Sequence, residues 1–220
     1  MLIELTRCNG NEEVIRDFRR DICRRIGVNP NGSSIHPLGH AFYLFARHDE
    51  HSRPSGMIEF FFYNDAFSSY SDCVYSQAAD LSQIAPMHQM IHVRSVIIDE
   101  AHRHSKTFLH LSASLMATAW ELGAHHMTAS TSTNYQYILG LHKNAGMRRL
   151  GVFLLEGAPQ QLSTLDLEPI APRAKRLIRH ASLRIDPSAQ EAIMLRSVPP
   201  QTAFTDLRPT AMMQSLALAS

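Results

Sequence analysis

The sequence is short of the features that would place it quickly. Its 220 residues hold three cysteines, Cys8, Cys23 and Cys73, with no CxxC pair. That excludes a cysteine-dense disulfide scaffold, and free thiols in a reducing compartment are the simplest account. Neither sign of charge dominates: 21 basic residues face 20 acidic ones, a formal net charge of +1. Without a global positive field, nucleic acid is not an expected partner. No apolar run approaches the roughly 20 residues that span a bilayer. The stretch Met1 to Glu12 lacks the basic start and apolar core of a signal peptide, so a cytoplasmic location is expected. The 13 histidines include the close pairs His36/His40, His102/His104 and His125/His126. None sits in an HExxH or Cys/His frame, and no metal site is expected.

What is present is an ordinary globular composition, 45% hydrophobic and 19% charged, in a chain long enough to bury a core. Leu2–Leu5 reads as a short opening strand. Asn11, Glu12 and Glu13 form a cap-plus-acid helix start, and Val14, Phe18, Ile22 and Ile26 recur at helical spacing up to Gly27 and Pro30. Ala41–Arg47 and Gly56–Tyr63 read as strands joined by a polar, hairpin-like connection. The aromatic run in GMIEFFFY predicts burial on both faces, with Glu59 as the exception. Ser68–Ile84 is expected to be helical. Met90–Asp99 is the clearest strand, rich in Val and Ile. A polar stretch, Glu100–Ser105, leads into a strong helix over 106–122, whose stripe is Phe108, Leu111, Leu115, Ala119 and Leu122. A strand at His125–Ser130, a helix at Thr133–Asn144 and a strand at Val152–Glu156 follow.

After Pro159 prolines punctuate short segments, with a basic helix at Ala171–Ser182 and a small one at Thr210–Leu218. Residues 1–170 are therefore read as one domain and 171–220 as an extension that packs on it or caps it. The alternation of strands and helices predicts an α+β fold with helices on both faces of a mixed sheet.

The segment VRSVIIDEAHRHSKTFLHLSASLMATAWELGA resembles the donor-binding core of the GNAT acyltransferase superfamily: a strand, a tight loop, then a long helix. Downstream, NYQYILGLHKNAGMRRLG resembles the family's next helix, with Gly146 and Met147 at its closing Gly-hydrophobic pair. The resemblance covers roughly 41–156 and implies a mostly antiparallel central sheet flanked by helices. It also implies an acyl-CoA, or an acyl group on the phosphopantetheine of an acyl carrier protein, as co-substrate. In the family a basic or Gln residue precedes two alternate glycines in the donor loop. Here His102, Ser105 and Thr107 fill those places, so close backbone approach to pyrophosphate is harder. Ser105, Thr107, Arg103, His104 and Lys106 remain as phosphate donors at a helix start, and the bland alternative is a polar capping loop.

A narrower likeness is to the branch of acyl-homoserine-lactone synthases and long-chain N-acyl amino acid synthases. His92-Val93-Arg94-Ser95-Val96 resembles its Arg-hydrophobic-hydrophobic strand motif, and Arg19, Ile22, Cys23 and Gly27 resemble its first helix. The acidic residues that branch places before the first core strand are absent, and His36 and His40 stand there instead.

Each candidate has two readings. Arg94, mid-strand among apolar neighbours, contacts substrate or makes a buried ion pair with Glu59 or Asp99. Glu59 is a base for the amine or the partner of Arg94. His142 stands where many family members place the acid for the departing thiolate, or is a surface residue. Asn134 bonds the pantetheine arm or caps a helix. Backbone groups near Val96 and Ile98 are expected to hold the pantetheine and polarise the thioester.

Arg173, Lys175, Arg176, Arg179 and His180 could dock an acidic carrier protein or form a solvated helix face. The expected activity is N-acyl transfer to a small-molecule amine or amino acid by direct attack. Its rivals are an acetyl-CoA-dependent small-amine acetyltransferase and a degenerate, non-catalytic binding protein on the same fold.

Overall fold

Among the described residues, eight strands form one sheet in the order β6-β7-β5-β4-β3-β2-β1-β8. A computed structural model describes residues 1–7, 12–25, 39–103, 105–179 and 182–197. The strands are β1 (Leu2–Arg7), β2 (Phe42–Arg47), β3 (Gly56–Phe62), β4 (Met90–Ile98), β5 (His126–Ser132), β6 (Arg148–Leu155), β7 (Ala158–Asp166) and β8 (Ser182–Ile185). The helices are α1 (Glu12–Arg25), the single turn α2 (Tyr63–Ala66), α3 (Thr107–Glu121), α4 (Gln136–Asn144), α5 (Ala171–Leu177) and α6 (Pro187–Ser197). Among the described strand pairs only β4–β5 and β1–β8 are parallel, so the sheet is mostly antiparallel, as the family resemblance implied.

Each sheet face buries its own core. One side carries Leu5, Phe42, Leu44, Phe60 and Val93, covered by Leu111, Leu115 and Ala119 of α3 and by Ala189, Ala192 and Ile193 of α6. The other carries Tyr43, Phe45, Met57 and Phe61, covered by Ile15, Phe18 and Ile22 of α1 and by the 67–89 segment. β3 therefore has both faces covered, and all seven of its residues are buried. Glu59 is no exception, at 0% exposure.

Several local expectations shift. The α1 stripe is rotated: Ile15, Phe18, Arg19 and Ile22 are buried while Val14 is 49% exposed. Phe108, expected in the α3 stripe, is 42% exposed, because the buried face of α3 begins at Thr107 and continues through Leu111, Ser114 and Thr118. Ser68–Ile84 is not a helix but a series of 3₁₀ turns at Tyr70–Asp72, Val74–Gln77 and Leu81–Gln83. Cys73, Tyr75 and Leu81 insert in turn into the second core, and that tertiary anchoring overrides a weak helical pattern rich in Ser and Asp. Gly151 on β6 makes this close packing feasible, since a Cβ there would overlap the carbonyl oxygen of Ala78.

β7 was not legible behind Pro159 and its glutamines. It is the inner strand between β5 and β6, reached from β6 through Glu156 and Gly157, both at positive φ (51° and 79°). Two such residues make the tight hairpin turn that suits strand twist. Residues 171–197 add more than a covering layer. β8 lies beside β1, α5 sets Ala174 against Ala113 and Ala117 of α3, and Lys175 pairs with Glu121. The expected helix at 210–218 lies outside the described residues, as do Asn11, Ile26, Gly27, His36, His104 and His180.

Candidate active site

The site begins where two neighbouring strands part. β4 and β5 pair from Met90↔His126 to Val93↔Ala129 and no further. Yet β4 stays paired with β3 as far as Ile98, and β5 stays paired with β7 as far as Ser132. The sheet is thus split along one seam, and the edges of that seam carry backbone groups no strand uses. Asp99 N–H donates to Ser55 C=O at 2.9 Å. By the alternation of an antiparallel ladder, Ile97 also faces β3, and Val96 and Ile98 turn their N–H and C=O groups into the gap. These are the two residues expected to hold a pantetheine arm. An extended ligand with two amides can take the place of the missing strand there.

A bulge marks the head of the gap. Glu59 pairs with Ser95 and Phe60 with Val93, which leaves Arg94 as the extra residue on β4. Such a bulge re-aims a side chain, and Arg94 is brought onto the face that carries Glu59. Arg94 Nη1 donates to Glu59 Oε1 at 3.1 Å, Tyr43 OH donates to the same oxygen at 2.8 Å, and Arg19 holds Oε2. Arg19 and Glu59 are 1% and 0% exposed, whereas the Arg94 side chain keeps 22%. The partner of Arg94 is thus Glu59. Asp99, the other candidate, instead accepts from Ala101 N–H at 3.2 Å and caps the turn at Glu100–His102. Both Glu59 oxygens are engaged inside the protein, an arrangement suited to anchoring Arg94 rather than to taking a proton from a substrate.

Beside this cluster lies a second polar network. His92 is fully buried and stacks on Tyr75, with centroids 4.0 Å apart. Its Nδ1 is 2.9 Å from Thr128 Oγ1 and its Nε2 is 3.3 Å from Ser130 Oγ. Thr128 also bonds Tyr63 OH at 2.8 Å. Burial first, and then the Arg94 charge, push His92 down to about 3, so the ring is neutral at pH 7. Tyr63 is raised well above the usual tyrosine value, chiefly by burial. Ser130 is the first β5 residue beyond the pairing with β4, so this network ends at the fork itself.

At the other end of the gap stands α3. Arg103, Ser105 and Lys106 are exposed at its start, where first-turn amides lack intrahelical partners. The Ser105 hydroxyl is turned inward: Oγ lies 2.6 Å from His102 C=O and 2.8 Å from Thr107 Oγ1, and accepts from Thr107 N–H at 3.2 Å. Thr107 is 1% exposed, packed toward Gly56. Its side chain is therefore structural, and its N–H is already taken by the Ser105 hydroxyl. His104 lies outside the described residues. Asn134 is exposed in the turn before α4, and its N–H donates to Ser132 Oγ at 3.3 Å. It is not the helix cap, because α4 starts three residues later than the sequence indicated and Tyr135 precedes it.

His142 lies in the last turn of α4, half-buried. Its Nδ1 has no hydrogen-bond partner among the described residues, so no bond joins it to the Glu59 cluster through that atom. Burial lowers its pKa. The residues that sequence reasoning did not select as site members are Tyr43, Tyr75, Thr128 and Ser130. Arg19 and His92 stood in quoted motifs, but nothing in their spacing showed what they bind.

The fork, the bulge and the helix start fit an acyl thioester on a phosphopantetheine arm: amides for the arm, cations at its phosphate end. No family model matches the chain, and no curated protein does. Solved structures do. A CoA-dependent acyl-homoserine lactone synthase, BjaI, solved with SAM and isopentyl-CoA, superposes with a TM-score of 0.63 at 16% identity, covering 88% of this chain and 99% of that one. The chain shares the fold of that synthase. MesI, a second CoA-dependent acyl-homoserine lactone synthase, gives a TM-score of 0.56 at 14% identity over 84% of this chain and 99% of its own. TofI, solved with an inhibitor and MTA, gives 0.55 at 13% over 86% and 100%. β4 runs through the turn at Glu100–His102 into α3, so the seam and the helix start are joined by one short segment.

Proposed function

We propose that the chain is an N-acyltransferase. It moves an acyl group from an acyl thioester, carried by coenzyme A or an acyl carrier protein, to the amine of a small molecule or amino acid. The observation that carries this reading is the forked seam with Arg94 at its head. The solved structures named above support it, since BjaI and MesI are described as CoA-dependent and BjaI was solved with isopentyl-CoA. Val96 and Ile98 bind the arm through their backbone, and Arg103 and Lys106 meet its phosphate end, with Asn134 at the opposite lip. The amine attacks the thioester carbonyl, the C–S bond breaks, and the thiolate takes up a proton.

Arg94, rigidly held by Glu59, orients the acceptor or the carbonyl oxygen. A neutral His142 is a poor proton store at pH 7, so the proton for the thiolate comes from another group or from water. The exposed Arg173 and Arg176 of α5 provide a basic face for an acidic carrier protein. The rival reading, a non-catalytic binding protein, draws its support from Ser105 and Thr107, whose side chains serve the loop rather than a ligand.

The test is direct. The purified protein is incubated with acetyl-, butyryl- and octanoyl-CoA, and with octanoyl carrier protein. Pooled amino acids, small amines or S-adenosylmethionine serve as acceptors. Amine-dependent release of free thiol, with a new amide in the mass spectrum, is expected. Release from none of these donors would leave the non-catalytic reading. Arg103→Ala with Lys106→Ala should weaken CoA binding by about tenfold or more, as loss of charge-assisted contacts does. Unchanged affinity by calorimetry would remove the phosphate end from this loop.

A further inference from the structure

One ring on the Glu59 side of the sheet is left without a hydrogen-bonding account. His40 directly precedes β2, and its Nε2 is shielded from water yet has no hydrogen-bond partner among the described residues. Its main chain is pinned, since Arg7 Nη2 donates to His40 C=O at 3.0 Å. Its ring stands edge-on to Phe61, with centroids 5.6 Å apart at 87°. Phe61 is two residues from Glu59 on β3, and its own ring lies 5.5 Å from that of His92, two residues before Arg94. His40 thus sits one aromatic ring away from the head of the fork.

An orphaned buried nitrogen is destabilising and is expected where a ligand supplies the missing partner. The charged groups around it come from four elements: Arg7 of β1, Asp65 of α2, Glu59 of β3 and Arg94 of β4. Desolvation is the strongest influence and lowers the pKa below 6.5, with Asp65 and Glu59 opposing and Arg7 and Arg94 assisting. The ring is therefore unprotonated at neutral pH, with a lone pair to offer.

We propose that His40 is the general base of the acyl transfer, accepting the proton of the attacking amine at Nε2. This rests on the acyl-transfer reading given above. As the amine nitrogen bonds to the thioester carbon, its N–H proton passes to Nε2. When the C–S bond breaks, the sulfur leaves with the electron pair, and the imidazolium returns the proton to the thiolate. No other reactant is needed. The other candidates are occupied: both Glu59 oxygens are held by Arg19, Tyr43 and Arg94, and His92 is enclosed between Thr128 and Ser130.

The experiment compares wild type, His40→Ala and His40→Gln, using octanoyl- and acetyl-CoA with the acceptor selected by the thiol-release screen. General-base loss predicts a fall in kcat/KM of about 100-fold or more, with melting temperature and CoA affinity unchanged. Free imidazole should restore part of the His40→Ala rate. Wild-type kcat/KM should fall on the acid side as the ring takes up its proton, and that limb should vanish in both variants. A His40→Ala enzyme within threefold of wild type, or one whose activity falls only in step with its stability, overturns the role of His40 alone. A wild type that releases no thiol with any amine overturns the acyl-transfer reading and this inference together.

Discussion

Glu59→Gln should be the most costly single change at the site, and the cost should appear as lost stability before lost chemistry. Glu59 is fully buried and neutralises Arg19, which is itself 1% exposed. Replacing the carboxylate with an amide leaves a buried guanidinium without its counter-charge, a loss of about 3–5 kcal/mol. Arg94→Met removes the other arm, but Glu59 keeps Arg19 and Tyr43, and Arg94 is 22% exposed. That variant should lose only about 1–2 kcal/mol, near the value of one charge-assisted bond, while kcat/KM collapses. Tyr43→Phe should fall near Arg94→Met in stability and keep most activity. Urea denaturation of the three single variants and the Glu59→Gln/Arg94→Met double variant measures these terms. The double variant should cost less than the sum of the singles, because the two residues share one network. If Arg94→Met destabilises as much as Glu59→Gln with activity falling in proportion, Arg94 is a structural residue and the site has been misplaced.

His92 predicts acid lability: its pKa is driven down from 6.5 to about 3 by burial, so the unfolded chain binds the proton first. The stability conferred by the neutral buried ring is complete above about pH 6.5 and declines as pH falls toward 3, by about 1.4 kcal/mol per unit at most. His92→Gln should flatten that slope in urea titrations between pH 6 and 4, and an unchanged slope would assign the acid lability elsewhere. Gly151→Ala should cost about 1–3 kcal/mol, the usual range for forced overpacking, because the new methyl meets the Ala78 carbonyl. It should also loosen the 67–89 segment to proteolysis, and a variant as stable and resistant as wild type would refute that contact.

Much of the fold was written in local pattern. β2, β3, β4 and α3 fall within one or two residues of where hydrophobic periodicity puts them, because each has a long apolar signal and clear punctuation. The pairing of Arg94 with Glu59 was also foreseeable, since two charges among apolar strand residues must find partners. β7, the 67–89 turns and β8 were not legible. β7 gains its place from β5 and β6 on either side rather than from its own glutamines. The 67–89 segment is shaped by anchoring Cys73, Tyr75 and Leu81 in the second core, and β8 is only four residues long beside β1.

At the site the division is sharper. The sequence by itself determined which strand carries the arginine and which helix follows the polar loop at 100–105. Only the tertiary structure decided what those residues can do. The parting of β4 from β5, the bulge that turns Arg94 onto the Glu59 face, and the approach of Arg19 and Tyr43 to one carboxylate all depend on register between strands. Register is a long-range property: residues 19, 43, 59 and 94 meet because two strand pairs and one helix dock together, and no local spacing records that.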